Sequence, residues 1–315
     1  MAEEAPLATD LEICDPHHHL WEYPDSVYLL DDLRADIAGL PVTSTVYVEC
    51  GSAYRTDGPE SFRPVGETEW VAAMAPGDGP TAGIVGFADL SLGAAVSDVL
   101  AAHVEAGRGR FRGVRHASAW HPSPDIDRAH SRPPPELFGL PAFRDGFAAL
   151  GEAGLSFDAW LYFTQLPELV DLARANPDVV IVLDHLGGPL AIGPYAGQRD
   201  EMLANWRASM REVATCENVV LKLGGIGMSL FGMKWHRRSE PPGSQEVAKA
   251  WGPEMRWCID TFGVERCMFE SNFPVDRNSF GYATCWNAFL RMTEDLSSVE
   301  RRSLFHDTAT RTYRL

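Results

Sequence analysis

The sequence predicts a closed (β/α)8 barrel of the TIM type, folded as a single domain. Eight short apolar runs rich in Val, Ile, Leu, Phe and Tyr recur along the 315 residues, and amphipathic, helix-like segments separate most of them. Strand followed by helix, repeated, implies a parallel sheet, and runs apolar on both faces suit strands covered by helices outside and packed against one another inside. Eight such units in about 300 residues match a closed barrel. No Gly-x-Gly-x-x-Gly follows the first run, which removes the main support for an open dinucleotide-binding sheet.

In chain order, strands are expected at residues 11–14, 45–50, 83–88, 111–116, 155–161, 179–183, 219–223 and 267–271. Helices are expected at 92–107, 142–153, 166–176, 201–216 and 244–262. Three connections are too long for simple turns: 53–70, 117–141 and 226–243. Each follows a strand, so each is expected to rise from the catalytic face as a lid. Residues 1–10 read as a flexible N-terminal segment and 11–315 as the barrel.

Composition narrows the function. Hydrophobic residues make up 45% and charged residues 23%, ordinary globular values that predict a sizeable core. The net charge of -17 disfavours phosphate backbones and anionic lipid surfaces, so neither nucleic acid nor membrane is an expected partner. A small molecule is the expected partner, and the apolar, Trp-containing helices are compatible with a homodimer. Cys14, Cys50, Cys216, Cys258, Cys267 and Cys285 show no tight spacing and read as reduced core residues. With no secretory signal and no apolar run of membrane-spanning length, a cytoplasmic location is expected.

Chemistry is expected where polar residues end the strands. The first such place is Asp15-Pro16-His17-His18-His19-Leu20-Trp21. In a strand, side chains alternate faces, so His17 and His19 point one way and His18 the other. Two imidazoles on one rigid strand suit a divalent metal such as zinc, with a His-rich turn or buried, satisfied histidines as the plain alternative. His185 in Asp184-His185-Leu186-Gly187-Gly188-Pro189 supplies a third nitrogen, and Glu49 an oxygen. Glu49 equally fits a carboxylate salt-bridged to Arg55 or Lys222.

Arg115 offers a planar fork for a substrate carboxylate or else a structural ion pair. Lys222 reads as structural. Asp276 suits a general base or a helix N-cap. Arg55, His116, Trp160, Trp235 and His236 are the candidates for substrate contact, Trp235 and His236 from the long seventh loop.

Together these residues resemble the amidohydrolase superfamily, in its Amidohydro_2 branch of lactonase-like hydrolases. The resemblance spans nearly the whole chain. It rests on the first-strand motif, on Phe157-Asp158-Ala159-Trp160-Leu161 with Gln165-Leu166, on the Asp184 to Pro189 turn, and on Glu270-Ser271-Asn272-Phe273-Pro274. It implies hydrolysis at a carbonyl by activated water, and relatives include metal-dependent lactonases, metal-free lactonases and non-oxidative decarboxylases of aromatic acids. Two positions depart from the family pattern. Phe163 or Thr164 stands where many members carry a strand-five histidine, and Asn272 stands at the strand-eight aspartate.

An amide is no base at neutral pH, so Glu49, Glu270 or Asp276 must activate water, while Asn272 can donate a hydrogen bond to the developing oxyanion. The resulting expectation is a lactone hydrolase with His17, His19 and His185 holding a divalent ion. The alternatives are a decarboxylase of a small aromatic acid, a metal-free lactonase, and an inactive ligand-binding barrel.

Overall fold

The structure is a computed structural model, and it describes residues 4–74 and 79–315. Eight parallel strands form one sheet in chain order. They are β1 (Ile13–His18), β2 (Val42–Val48), β3 (Thr81–Gly86), β4 (Phe111–Arg115), β5 (Ser156–Ala159), β6 (Ile181–Leu183), β7 (Val219–Leu223) and β8 (Cys267–Phe269). The sheet closes through contacts just past β8, where His18 bridges to Phe273. Asn272 N–H donates to the His17 carbonyl at 3.0 Å, and His19 N–H to the Phe273 carbonyl at 2.7 Å. This seam fixes the strand-one histidines against the strand-eight segment.

A helix follows each strand: α1 (Leu30–Ile37), α2 (Val65–Met74), α3 (Val96–Ala106), α4 (Pro141–Glu152), α5 (Leu166–Ala175), α6 (Arg199–Ala214), α7 (Ser244–Phe262) and α8 (Tyr282–Met292). Pro141 and Pro167 sit in the first turns of α4 and α5, where a missing N–H costs nothing. The chain ends in α9 (Ser298–Arg302) and α10 (Thr308–Tyr313). Cys14, Val46, Val48, Val85, Val182 and Met268 pack inside the barrel with Ala309 and Tyr313 of the C-terminal helix. At the N-terminal end, Asn287 on α8 accepts Leu7 N–H and donates to the Ala5 carbonyl, and Glu4 accepts from Ser244.

All eight expected runs are barrel strands, with one instructive shift. The first strand begins and ends later than its apolar run, because it continues through the polar motif. Its pairing with β2 slips between Asp15 and His18. Pro16 has no N–H to give the ladder, and the resulting bulge re-aims the histidines. The six cysteines are free.

The connection expected at 53–70 is shorter than read, since α2 starts at Val65. Between β1 and α1 the chain forms a small antiparallel hairpin, Trp21–Tyr23 with Ser26–Tyr28. Among the described residues no helix is long and apolar enough to cross a membrane.

Candidate active site

Three buried histidines meet at the C-terminal end of the barrel. The ring centroids of His17 and His19 are 4.9 Å apart, and those of His17 and His185 4.5 Å. His18 points the other way, with Nε2 3.0 Å from Thr45 Oγ1. His19 Nδ1 lies 2.8 Å from the Val48 carbonyl, which can only accept, so Nδ1 carries the proton and Nε2 is left with its lone pair. Burial lowers the pKa of His17 and His19, and Lys222 lowers that of His17 further, so these rings are neutral.

The His185 turn is held in an uncommon shape. His185 and Leu186 have φ of 51° and 56°, and Gly187 and Gly188 continue in the left-handed region. Two non-glycine residues there store strain of about 1–3 kcal/mol each. Gly188 lies so close to the Leu161 carbonyl that a Cβ would sit 2.1 Å from it. The reward is the ring's aim: the edge of His185 meets Trp160 at 4.8 Å, and its Nδ1 reaches Glu270.

Buried charges surround the histidines. Glu270 lies 2.8 Å from His17 Nδ1 through Oε2 and 2.7 Å from His185 Nδ1 through Oε1. Lys222 Nζ lies 2.8 Å from Asp158, 3.1 Å from Asp184 and 3.2 Å from His17 Nδ1. Burial opposes charge on this lysine, but Asp158, Asp184 and Glu270 outweigh it and hold the ammonium. Asp158 also accepts from Tyr313 of the C-terminal helix at 2.6 Å.

Glu49 binds Arg115 Nε at 2.7 Å through Oε1 and His130 Nε2 at 2.8 Å through Oε2, and Arg115 Nη2 donates to the Glu49 carbonyl. Burial alone would push the Glu49 pKa up, yet Arg115 and His130 hold it at about 2. Glu49 therefore pairs with neither Arg55 nor Lys222.

On the strand-eight side, Asn272 has a left-handed φ of 54° and donates through Nδ2 to Asp276 Oδ1 at 2.8 Å. Gly227 N–H donates to Asp276 Oδ2 at 2.8 Å. Burial pushes the Asp276 carboxyl up to about 7. Its hydrogen bonds tie two loops together, so it is not the cap of the following helix. Three glycines after β7 make room for this arrangement. A Cβ on Gly224 would meet Glu270 Cγ at 2.4 Å, one on Gly225 would meet His185 Nδ1 at 2.5 Å, and one on Gly227 would meet Asp276 Cβ at 2.8 Å.

Not every candidate converges here. Arg55 turns outward to Glu69 on α2, its guanidinium occupied by that carboxylate. His116 faces the helix layer, packed on Phe87 and Phe143, with Leu90 N–H donating to its Nδ1 at 3.3 Å. Trp235 is buried against Phe280 and lines a cavity of about 520 Å³ with Arg238, Arg277 and Phe273. His236 lines another of about 460 Å³ with Gly227, Val275 and Asn278, beside Asp276. The structure adds Asp184, Asp158 and His130 to the candidate residues, and Lys222, read from the sequence as structural, lies between two of them. A lysine inside the apolar strand Val219–Leu223 was the available signal for Lys222, whereas His130 sits in a loop with no local pattern.

The family model for Amidohydrolase (Amidohydro_2) matches residues 14–315, and the chain belongs to that family. It is an enzyme of the amidohydrolase superfamily. It is 33% identical to the uncharacterized protein y4mH of Sinorhizobium fredii, over 98% of this chain and all of that one. It is 30% identical to an L-fucono-1,5-lactonase of Burkholderia multivorans, over 79% of this chain and 77% of that one. Among solved structures, it resembles an amidohydrolase from Burkholderia multivorans with bound zinc. The TM-score is 0.76 at 26% identity, covering 96% of this chain and 99% of that one.

Proposed function

We propose that this enzyme opens a small lactone by hydrolysis, with a divalent metal ion, zinc in the first instance, held by His17, His19 and His185. The observation that carries the reading is the convergence of three buried imidazoles next to a carboxylate without a hydrogen-bond partner. Ligand atoms of His17, Asp184 and His185 lie within 4.8 Å of one another, and neither oxygen of Asp184 has a hydrogen bond. Imidazoles with a nearby carboxylate are a donor set that zinc accepts, so His17, Asp184 and His185 fit the ion, with the His19 ring 4.9 Å from that of His17. The zinc-bound Burkholderia structure supports the same reading. Both oxygens of Glu49 are engaged by Arg115 and His130, so Glu49 is left out of the ligand set.

Bound, such an ion supplies Lewis-acid polarisation of a carbonyl. The chain's own residues do the rest. Asp276, ionised above about pH 7, accepts the proton of the attacking water. Asn272 has a second amide N–H to offer the developing oxyanion, a contact of the kind that supplies a large share of rate enhancement. Trp160, half-buried against His185, forms a wall for the substrate ring. Glu49 and Arg115 hold the strand ends β2 and β4 in register at the site.

The lactone reading is favoured over decarboxylation by the state of Arg115. Its Nε and Nη2 are committed to Glu49, and Nη1 lies 3.4 Å from His17 Nε2. A guanidinium so engaged has no fork left for a substrate carboxylate. The lactonase name of the 30% identical relative points the same way.

The test is metal content of untagged protein by elemental mass spectrometry, with turnover of a panel of sugar lactones followed by pH-stat before and after chelation. Near-stoichiometric metal and chelator-sensitive lactone opening is expected. Chelator-resistant turnover by metal-free protein overturns the metal, and carbon dioxide release from hydroxybenzoates with no lactone opening overturns the reaction.

A further inference from the structure

We infer that Glu270 is a positioning residue that acts on the tautomer of two histidines at once, so that both His17 and His185 carry the proton on Nδ1 and keep Nε2 as an acceptor. Its Oε1 hydrogen-bonds His185 Nδ1 at 2.7 Å, and Oε2 lies 2.8 Å from His17 Nδ1 without hydrogen-bond geometry. Oε1 also accepts the His185 backbone N–H at 3.1 Å. An ionised carboxylate only accepts, so His185 Nδ1 must carry the proton, and the negative charge beside His17 Nδ1 favours a proton there as well.

One neighbour competes for this choice. Lys222 Nζ, 3.2 Å from His17 Nδ1, can only donate and would favour the opposite tautomer. Two observations decide between them. Lys222 already has two carboxylates, Asp158 and Asp184, at 2.8 and 3.1 Å, and it is farther from Nδ1 than Glu270 is. On the other side of the ring, Arg115 Nη1 faces His17 Nε2 at 3.4 Å, and a guanidinium also only donates, so Nε2 must be the acceptor. The Arg115 contact therefore assigns Nδ1–H to His17, on the side where Glu270 places its negative charge.

The fold is built around this carboxylate. Gly224 is bare where a Cβ would strike Glu270 Cγ at 2.4 Å and its carbonyl at 2.2 Å. Glu270 thus stands one step outside the proposed metal ligands, in the place where a hydrogen-bonding carboxylate orients an imidazole and strengthens it as a ligand. This gives the strand-eight segment a defined task even though Asn272 replaces the expected aspartate.

The inference rests on the metal-assisted reading only for its consequence; the tautomers can be read without metal or substrate. Long-range 1H–15N correlation spectra of chelator-treated protein with 15N-labelled histidine, at pH 8, should show Nδ1–H for His17, His19 and His185. In Glu270→Gln, His17 or His185 should change while His19, pinned by the Val48 carbonyl, stays as it was. Zinc affinity, measured by competition with a chromogenic chelator, should fall by about 10–100-fold. An Nε2–H signal for His17 or His185 in the wild-type protein overturns the inference, and that measurement suffices even if the variant does not fold. Unchanged tautomers and zinc affinity in a folded Glu270→Gln protein overturn it as well. Correct tautomers in a protein that opens no lactone leave it standing and count against the lactonase reading alone.

Discussion

Asn272 holds Asp276 by a 2.8 Å hydrogen bond, amide to carboxylate, across four residues of the turn that follows β8. The side chain unable to act as a base thus orients one that can. Burial raises the Asp276 carboxyl to about 7, so the base is ionised only above that pH. The rate should therefore rise with pH through about 7 and level off beyond it. Asp276→Asn should lower kcat by about 10²–10⁴-fold and abolish that limb of the pH–kcat/KM profile.

His19 offers a cleaner ligand deletion than His17. Removing His17 strands Glu270 and Lys222 in the barrel, whereas His19 bonds only the Val48 carbonyl among the described residues and packs on Trp21. His19→Ala should lose metal and turnover together while costing about 1–3 kcal/mol of stability, the price of one unsatisfied buried acceptor. Elemental analysis and urea unfolding of the same preparation check both parts.

Stability should peak in mildly acidic solution. Glu49 and Glu270 are held at about 2 in the folded chain despite burial, Glu49 by Arg115 and His130, Glu270 by His185 and His17. Their contribution is present above the ordinary carboxyl value near 4.5 and is lost as pH falls from there toward 2. Asp15 at about 6, Glu67 at about 7 and Asp276 at about 7 are raised, chiefly by burial. The folded state binds their protons more tightly than the unfolded chain, so their contribution is full below about pH 4 and is lost as pH rises from there through 6 to 7. Burial lowers His18 to about 3 and His103 and His116 to about 4, so their contribution is lost as pH falls below 6.5, and melting temperature should fall on both sides of a maximum between pH 4 and 7; a monotonic rise to pH 8 would contradict this.

Glu49 and Arg115 test the buried network directly. Both are almost fully buried, and Glu49→Gln leaves the guanidinium with only the more distant Asp184, 3.7 Å away, as counter-charge, which should destabilise the fold by about 3–5 kcal/mol. Denaturant unfolding at pH 7 measures it. A loss below 1 kcal/mol would mean that Asp184 or solvent compensates.

The barrel was legible because its signal is local: each strand is a short apolar run, and most helices show their own period. The first strand was misjudged in extent because Asp15 to His18 are polar, and only the tertiary seam with Phe273 shows why polar residues belong there. The histidines were legible as strand-end residues. Arg55 was not, because following a strand does not say which way a loop turns, and Glu69 on α2 captures its guanidinium. His130 and Tyr313 reach Glu49 and Asp158 across 81 and 155 residues, separations that no periodicity encodes.

The run Gly224-Gly225-Ile226-Gly227 carries no local sign of its role for the same reason, since what a missing Cβ makes room for lies elsewhere in the chain. Gly225 is the sharpest of the three. It has φ of 67°, and a Cβ there would come within 2.5 Å of His185 Nδ1 and 2.7 Å of Cγ. Alanine must bear about 1–2 kcal/mol of left-handed backbone strain and also push the ring away. A displacement of about 1 Å at a reacting centre can cost on the order of 100-fold in rate. Gly225→Ala should therefore lose far more activity than stability. Gly139→Ala is the control: nothing lies within 4 Å of its Cβ, and its stability should stay within about 0.5 kcal/mol of the parent. Turnover and urea midpoints of the two variants side by side decide it, and equal activity would mean that the His185 ring does not need its place.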